Sequence, residues 1–279
     1  MDQERSAPSF AEMAFALHWA PAELVLALWA YFDESGHPSE DIPLAVAGCV
    51  ATCEAWREFE SDWLRVLKDH GVSWFHAVDL EHAHGEFAAW GGDRQRRERL
   101  LDALIQVVGR HALPPVGCLV PTHEVRRLRS RRPRGKKSES AEERLVREAE
   151  ELFADPYCCA LAYCMKTAAE QFALPRDVLL HVVLAFRDKT VGKAERLWAI
   201  AQEISPFRDR MAGLTTGRGQ DPRRLPQLQA ADLIAYEITR STHQTKIRRG
   251  FQQLRGLKIY LSKADPARVF QGWLADPSA

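Results

Sequence analysis

Apolar residues recur along this chain in two ways, as short continuous runs and as repeats at steps of three and four residues. The runs are typical of buried strands, and the repeats are typical of amphipathic helices. We therefore predict strands over residues 24–32, 43–51, 116–120, 177–186 and 211–216, and helices over 56–70, 93–111, 141–154, 157–173, 192–204 and 226–242.

The last third alternates strand and helix, which favours right-handed crossovers and parallel pairing within one sheet. We expect one α/β domain over residues 23–279, with a basic loop and helical insertion at 122–175. A short N-terminal helical arm over residues 1–22 precedes it, opened by a capping box from Ser9 to Glu12. We also predict a short strand within "VSWFHAVDL" and a final short helix from Asp265.

Composition describes a chain with a sizeable core, since 46% of its 279 residues are hydrophobic. The formal net charge is zero, so no global field draws the chain to nucleic acid or to an anionic membrane. Residues 13–32 are long enough to span a bilayer, but His18, Pro21 and Glu23 make spanning expensive, and we expect no membrane association. Six cysteines form no CxxC pair and no secretory signal is recognisable, so we expect a cytoplasmic protein.

One local cluster of charge stands out. Residues 126–137 hold eight basic side chains and no acidic one. Such a run can bind a phosphate backbone without reading sequence, or it can form a solvated loop. Its basic residues are Arg126, Arg127, Arg129, Arg131, Arg132, Arg134, Lys136 and Lys137.

The first chemically informative stretch is "AYFDESGHP", in which an apolar run leads directly into Asp33 and Glu34. Adjacent carboxylates at the end of a buried strand repel each other and lose solvation. Ligand sites of α/β sheets lie at the carboxyl ends of their strands. Because side chains alternate along a strand, the two should point to opposite faces, and Asp33 is the preferred site residue of the pair.

The second stretch is "PQLQAADLIAYE", where Asp232 falls on the apolar stripe of the predicted helix over residues 226–242. A carboxylate that faces a core needs a partner, which can be a metal ion, an arginine or a helix that it caps. A divalent cation bound between Asp33 and Asp232 would offset the charge of both carboxylates. Hard carboxylate oxygens suit Mg²⁺ or Mn²⁺.

The motifs "YFDESG", "FHAVDL" and "LQAADLIAYE" resemble those of a prokaryotic family known as domain of unknown function 3800. The resemblance spans roughly residues 28–242. It implies a ribonuclease H-like fold, with a mixed five-stranded sheet flanked by helices, and metal-dependent nuclease activity. It also implies that Asp33 and Asp232 are the first and last acidic ligands and that His76 belongs to a family motif.

One position departs from that family's pattern. The middle acid usually follows a hydrophobic strand directly, but this chain reads "VVLAFRDKT", with Arg187 in that place and Asp188 one residue later. A shift of one residue turns a side chain to the other face of a strand. Asp188 can reach the site only if the strand has already ended.

These features predict a nuclease that hydrolyses phosphodiester bonds by a two-metal mechanism. In this mechanism Asp33 bridges the two ions, and Asp232, with Asp188 or Glu34, completes their coordination. His76 is either a site residue or a packed strand-end histidine. The alternative is a catalytically degenerate module, associated with phage defence or mobile elements, that binds nucleic acid or protein. A zinc site could be drawn from the acidic and histidine residues of 76–86, but they lack a regular ligand spacing.

Overall fold

The computed structural model describes residues 27–36, 42–112, 114–121, 123–124, 139–172, 178–185, 188–217, 221–242, 248–257, 259–263 and 269. Their strands form one mixed sheet in the order β5-β4-β1-β2-β3-β6. The strands are β1 (Ala27–Ser35), β2 (Leu44–Thr52), β3 (Val116–Val120), β4 (Leu179–Leu184), β5 (Met211–Thr216) and β6 (Tyr260–Lys263).

The helices lie on both faces of this sheet. They are α1 (Cys53–Asp69), α2 (Ala77–His82), α3 (Arg94–His111), α4 (Ala141–Phe153), α5 (Pro156–Gln171), α6 (Asp188–Ile204), α7 (Pro226–Ser241) and α8 (Arg249–Gly256), with 3₁₀ turns at Gly85–Trp90, Arg208–Arg210 and Pro222–Arg224.

Strand β1 lies at the centre of the sheet. It pairs antiparallel with β2 and parallel with β4, while β3 extends the antiparallel side and β5 the parallel side. All but the end residues of β1 are buried, as its continuous apolar sequence predicts for a strand covered on both faces. The carboxyl end of β1 therefore lies in the interior of the molecule, beside helix α7.

Alternation along β1 divides the interior into two cores. Leu28, Ala30 and Phe32 belong to the first core, which packs against α4, α5 and α6. Trp29 and Tyr31 belong to the second core, which packs against α1, α3 and α7. Helix α7 is buried from residue 226 to residue 239, as expected of a helix covered on all sides.

The structure confirms an α/β class and corrects several element predictions. The described sheet has six strands and not five, because β6 pairs in parallel with β3. Strand β1 extends to Ser35, so Asp33 lies within the strand and pairs with Ala47. "VSWFHAVDL" contains no strand, since its second half begins helix α2. The predicted N-terminal arm and the helix from Asp265 fall outside the described residues, apart from residue 269.

Candidate functional site

Asp33 and Asp232 line the same pocket, which has a volume of about 400 Å³. The two residues are 9% and 8% exposed, so each carboxylate is held largely away from solvent. Two parts of the chain nearly 200 positions apart thus bring acidic side chains to one cavity, as the sequence predicts. The pocket is lined by Asp33, Trp74, Phe75, His76, Ala185, Asp221, Arg223, Leu228, Gln229 and Asp232.

The end of β1 holds Asp33 in a fixed orientation. Its Oδ1 accepts a hydrogen bond from the backbone N–H of Glu34 at 2.8 Å. Gly36 follows at φ +92°, and a Cβ there would stand 2.0 Å from the carbonyl oxygen of Pro43. The glycine of the "DESG" motif is therefore required by the turn that ends the strand. The Thr239 hydroxyl of α7 lies 3.2 Å from the Ser35 carbonyl oxygen and 3.0 Å from that of Ala235, so its one proton is shared between this turn and its own helix.

Asp232 has a structural bond as well as a place in the pocket. Its Oδ2 accepts the backbone N–H of Ala77, the first residue of α2, at 2.7 Å. Helix α2 has no side-chain cap from its own N-cap residue, His76. The capping role that the sequence left open for Asp232 is thus what the structure shows, and the same side chain faces the cavity.

Gln229, three residues before Asp232, lines the pocket and forms hydrogen bonds to the segments around it. Its Oε1 accepts hydrogen bonds from the Trp63 indole at 2.9 Å and from the Phe75 N–H at 3.0 Å. Its Nε2 donates to the carbonyl of Arg223 at 2.9 Å. Sequence reasoning missed this role, although Gln229 is the glutamine of the "LQAAD" motif and shares a helix face with Asp232.

His76 lines the pocket and is not a packed core histidine. Its side chain is 39% exposed, and its Nδ1 lies 3.1 Å from Oδ2 of Asp79 in the first turn of α2. This contact fixes the orientation of the ring at the cavity wall. Of the two positions that the sequence left open for His76, the structure shows the one at the pocket.

Asp221 and Arg223 also line the pocket, and sequence reasoning did not select either. Arg223 Nε donates to both carboxylate oxygens of Asp221, at 2.9 and 3.1 Å. This hydrogen bond from Arg223 lowers the pKa of Asp221. The signal was present in the sequence, because Asp followed by Pro222 marks a helix start and the 3₁₀ turn Pro222–Arg224 begins there.

Glu34 and Asp188 are not among the described residues that line this pocket. Strand β1 continues to Ser35, so Glu34 follows Phe32 onto the first-core face, opposite Asp33. Burial raises the pKa of Tyr157 in that core, and the charges of Glu34 and Asp33 add to the rise. Strand β4 ends at Leu184, and Asp188 is exposed at the start of α6. Arg187 and the basic run over residues 126–137 lie outside the described residues.

The described lining of the pocket is acidic. It contains three carboxylates, those of Asp33, Asp221 and Asp232, against one guanidinium, that of Arg223. Arg223 is paired with Asp221, and a cation bound in the pocket would interact favourably with the carboxylates of Asp33 and Asp232. Asp33 and Asp232 have the donor type and number with which proteins commonly hold Mg²⁺, whose other ligands are water or substrate oxygens.

No group of three or more histidine, cysteine, aspartate or glutamate side chains able to hold a metal occurs among the described residues. The acidic and histidine residues of the zinc alternative over 76–86 do not form such a group, because Glu81 and Glu86 have partners outside the set and the only ion pair within these described residues joins His76 to Asp79. His76 contacts Asp79, Glu81 binds Arg248, and Glu86 binds the backbone of Ser73 and Trp74.

A larger pocket, of about 650 Å³, is lined by Ala77, Leu80 and Glu81 of α2 together with residues of α3, α7 and α8. Its described lining holds four arginines and three glutamates, and Arg248 binds both Glu81 and Glu237, at 2.9 and 3.1 Å. Hydrogen bonds from Arg248 lower the pKa of Glu81, whereas burial raises the pKa of Glu237. The smaller pocket is the better candidate site because its carboxylates exceed its cations.

Comparisons with protein-family models, with curated proteins and with solved structures found no match to this chain. No helix within the described part of the chain is long and apolar enough to cross a membrane. The candidate site is therefore defined by its own geometry.

Proposed function

We propose that this protein is a divalent-metal-dependent nuclease that hydrolyses phosphodiester bonds. The observation that carries the proposal is the shared pocket of Asp33 and Asp232, two largely buried carboxylates in a cavity whose described lining has more acidic than basic groups. A polyanionic substrate enters such a cavity only if a cation offsets its charge.

The ribonuclease H-like fold is part of the same proposal. Strands β1 to β5 form a mixed sheet flanked by helices, and β6 adds a sixth strand at one edge. Asp33 lies near the carboxyl end of the central strand, where α/β sheets place their ligands. The motif resemblance and this mixed α/β sheet are the two observations that support the assignment.

Asp33 and Asp232 would hold a Mg²⁺ or Mn²⁺ ion, which when bound stabilises the negative charge that develops on the phosphate oxygens. Ala77 orients the Asp232 carboxylate, and the end of β1 orients that of Asp33. With Nδ1 of His76 against Asp79, Nε2 is the ring nitrogen that would form a hydrogen bond to a ligand in the pocket.

The two-metal form of the mechanism needs a further ligand. Neither Glu34 nor Asp188 lines the pocket with Asp33, so among the described residues Asp221 is the remaining carboxylate there. Asp221 would first have to leave Arg223. We therefore propose one ion between Asp33 and Asp232 as the minimal site, and a second ion as a hypothesis that involves Asp221.

A second candidate function is a non-catalytic nucleic-acid-binding module. The bond from Ala77 to Asp232 favours it, because a capping role accounts for a carboxylate at this position without chemistry. Both candidates place nucleic acid at this pocket. They differ in whether cleavage requires a metal.

The test is cleavage of end-labelled RNA, DNA and hybrid oligonucleotides with Mg²⁺ or Mn²⁺. Asp33→Asn and Asp232→Asn should each lower the cleavage rate by more than about 100-fold, since residues that only orient a metal ligand already account for about 10- to 100-fold. Asp209→Asn is the control, because Asp209 is 92% exposed and does not line the pocket. Full metal-dependent activity in a folded Asp33→Asn protein would overturn the proposal, whereas metal-independent binding without cleavage would favour the second candidate.

A further inference from the structure

Trp74 differs from the other tryptophans that the structure describes, because it packs into neither core. It is half-buried and lines the pocket beside Asp33 and Asp232. Trp198 packs against the first core, and the remaining described tryptophans are at most 3% exposed within the second. Those four are Trp29, Trp56, Trp63 and Trp90.

The backbone around Trp74 is held firmly at the pocket wall. The Glu86 carboxylate accepts N–H groups from Ser73 at 2.5 Å and from Trp74 at 3.4 Å. On the other side, the Phe75 N–H donates to Gln229 at 3.0 Å, and the Phe75 ring is buried. Hydrogen bonds on both sides of residue 74 therefore fix the position from which the indole projects.

Two further groups with flat faces adjoin the indole. The His76 ring lies nearly parallel to it, with an interplanar angle of 17° and ring centroids 5.8 Å apart. The guanidinium carbon of Arg223 lies 5.8 Å from the centroid of the Trp74 ring. An indole, an imidazole and a guanidinium plane thus form one wall of the cavity that contains the carboxylates.

We propose that Trp74, with His76 and Arg223, forms a stacking wall for an unpaired nucleobase, so that the ligand of this pocket is single-stranded nucleic acid. This inference rests on the proposed function and specifies its substrate class. On the carboxylate side of the pocket, a cation held by Asp33 and Asp232 would bind the phosphodiester. The wall supplies what the base requires, a rigid aromatic surface of low charge.

Stacking favours single strands for a simple geometric reason. A base inside a duplex has both faces covered by its neighbours, whereas an unpaired base has a face available for an aromatic side chain. Every base has such a face, so binding through Trp74 is tolerant of sequence. Arg223 adds a cation–π surface while its charge is balanced by Asp221.

The test measures the binding of fluorescent 12-nucleotide probes by anisotropy, in Ca²⁺ and in EDTA. The probes are oligo-dT, oligo-U, a DNA duplex and an abasic strand of the same length. Trp74→Ala should weaken binding of the single-stranded probes by about tenfold or more, and Trp74→Phe should retain affinity within about threefold. The abasic and duplex probes should bind both variants as they bind the wild type, and the oligo-dT and oligo-U arms separate DNA from RNA.

A second measurement needs no variant. Irradiation of wild-type protein with an oligonucleotide that carries 5-iodouracil should give a crosslink that mass spectrometry maps to Trp74. Wild-type affinity of a folded Trp74→Ala protein for the single-stranded probes, equal wild-type affinity for base-bearing and abasic strands, or a crosslink elsewhere would overturn the inference. Binding that depends on Trp74 without any metal-dependent cleavage would support the stacking wall and reject the nuclease proposal. Cleavage that is lost in Asp33→Asn but unchanged in Trp74→Ala would support the nuclease proposal and reject the stacking wall.

Discussion

Oδ2 of Asp232 lies 2.7 Å from the backbone nitrogen of Ala77, which joins α7 to the first residue of α2 across 155 positions of sequence. Gln229, one helical turn earlier, accepts the N–H of Phe75 at 3.0 Å. Side chains at i and i+3 share a helix face, and N–H groups at i and i+2 of an extended segment share an edge. Gln229 and Asp232, three residues apart in the "LQAAD" motif, are therefore spaced to accept the N–H groups of Phe75 and Ala77.

This bond allows the structural and the chemical roles of Asp232 to be separated. Asp232→Asn keeps an oxygen that can accept the Ala77 N–H but removes the charge, so the free energy of unfolding should change little while metal-dependent cleavage is lost. Asp232→Ala removes both and should lower the free energy of unfolding by about 1–2 kcal/mol. Urea unfolding of the two variants, read beside their cleavage rates, checks the prediction. If Asp232→Asn cleaves as fast as the wild type, the role of Asp232 is limited to accepting the Ala77 N–H.

Gln229 should be among the most sensitive positions of α7. Gln229→Ala leaves the Trp63 indole N–H and the Phe75 N–H without their acceptor, at a cost of about 1–3 kcal/mol for each buried group. Gln227, two residues earlier on α7, offers a matched control, because within the described part of the chain its amide donates to Glu60 alone. Urea unfolding should show a clearly larger loss for Gln229→Ala than for Gln227→Ala. A loss no larger than that of the control would contradict the bonding described.

Glu81 should give the protein an acid-sensitive component of stability. Hydrogen bonds from Arg248 lower the pKa of Glu81 below its ordinary value of 4.5. The unfolded state then binds the proton more readily, so the stabilisation is present above about pH 4.5 and is lost as the pH falls through the folded-state pKa. The difference in unfolding free energy between wild type and Glu81→Gln should be largest near neutral pH and shrink towards pH 3. Glu98→Gln is the control, because its ion pair with Arg94 is solvent-exposed and such pairs contribute little to stability.

The cysteines should react unequally with a thiol reagent. Five of the six are buried and Cys53 is half-buried at the start of α1. Burial also raises the pKa of the Cys53 thiol, which reduces its thiolate fraction. Ellman's reagent should therefore modify one thiol slowly in the folded protein and all six after denaturation, and Cys53→Ser should abolish the slow phase. Rapid modification of several thiols in the folded state would contradict the burial.

Much of the fold follows from local pattern, because buried strands and amphipathic helices leave strong signals. Strand β3 and strand β5 have the predicted bounds, and α3 begins after its predicted cap, Asp93. Strand β6 was missed because it is largely exposed at the sheet edge and so has no apolar run. Helix α8 was missed because eight residues with three buried positions give only two turns of periodicity.

The site was predicted in part for the same physical reason. Asp33 and Asp232 interrupt apolar patterns, and such interruptions are visible in one sequence. Gln229 and Trp74 were not selected, because their roles depend on which distant backbone groups and rings they meet. Those contacts are products of the tertiary fold, and a local pattern does not contain them.

The most direct test is an anomalous-difference map from crystals soaked in Mn²⁺. The proposal predicts a peak in the 400 Å³ pocket with carboxylate oxygens of Asp33 and Asp232 at coordination distances of roughly 2.1 Å, and the peak should be lost in crystals of Asp33→Asn. A map without a peak in this pocket, or with a peak whose ligands are other side chains, would contradict the account.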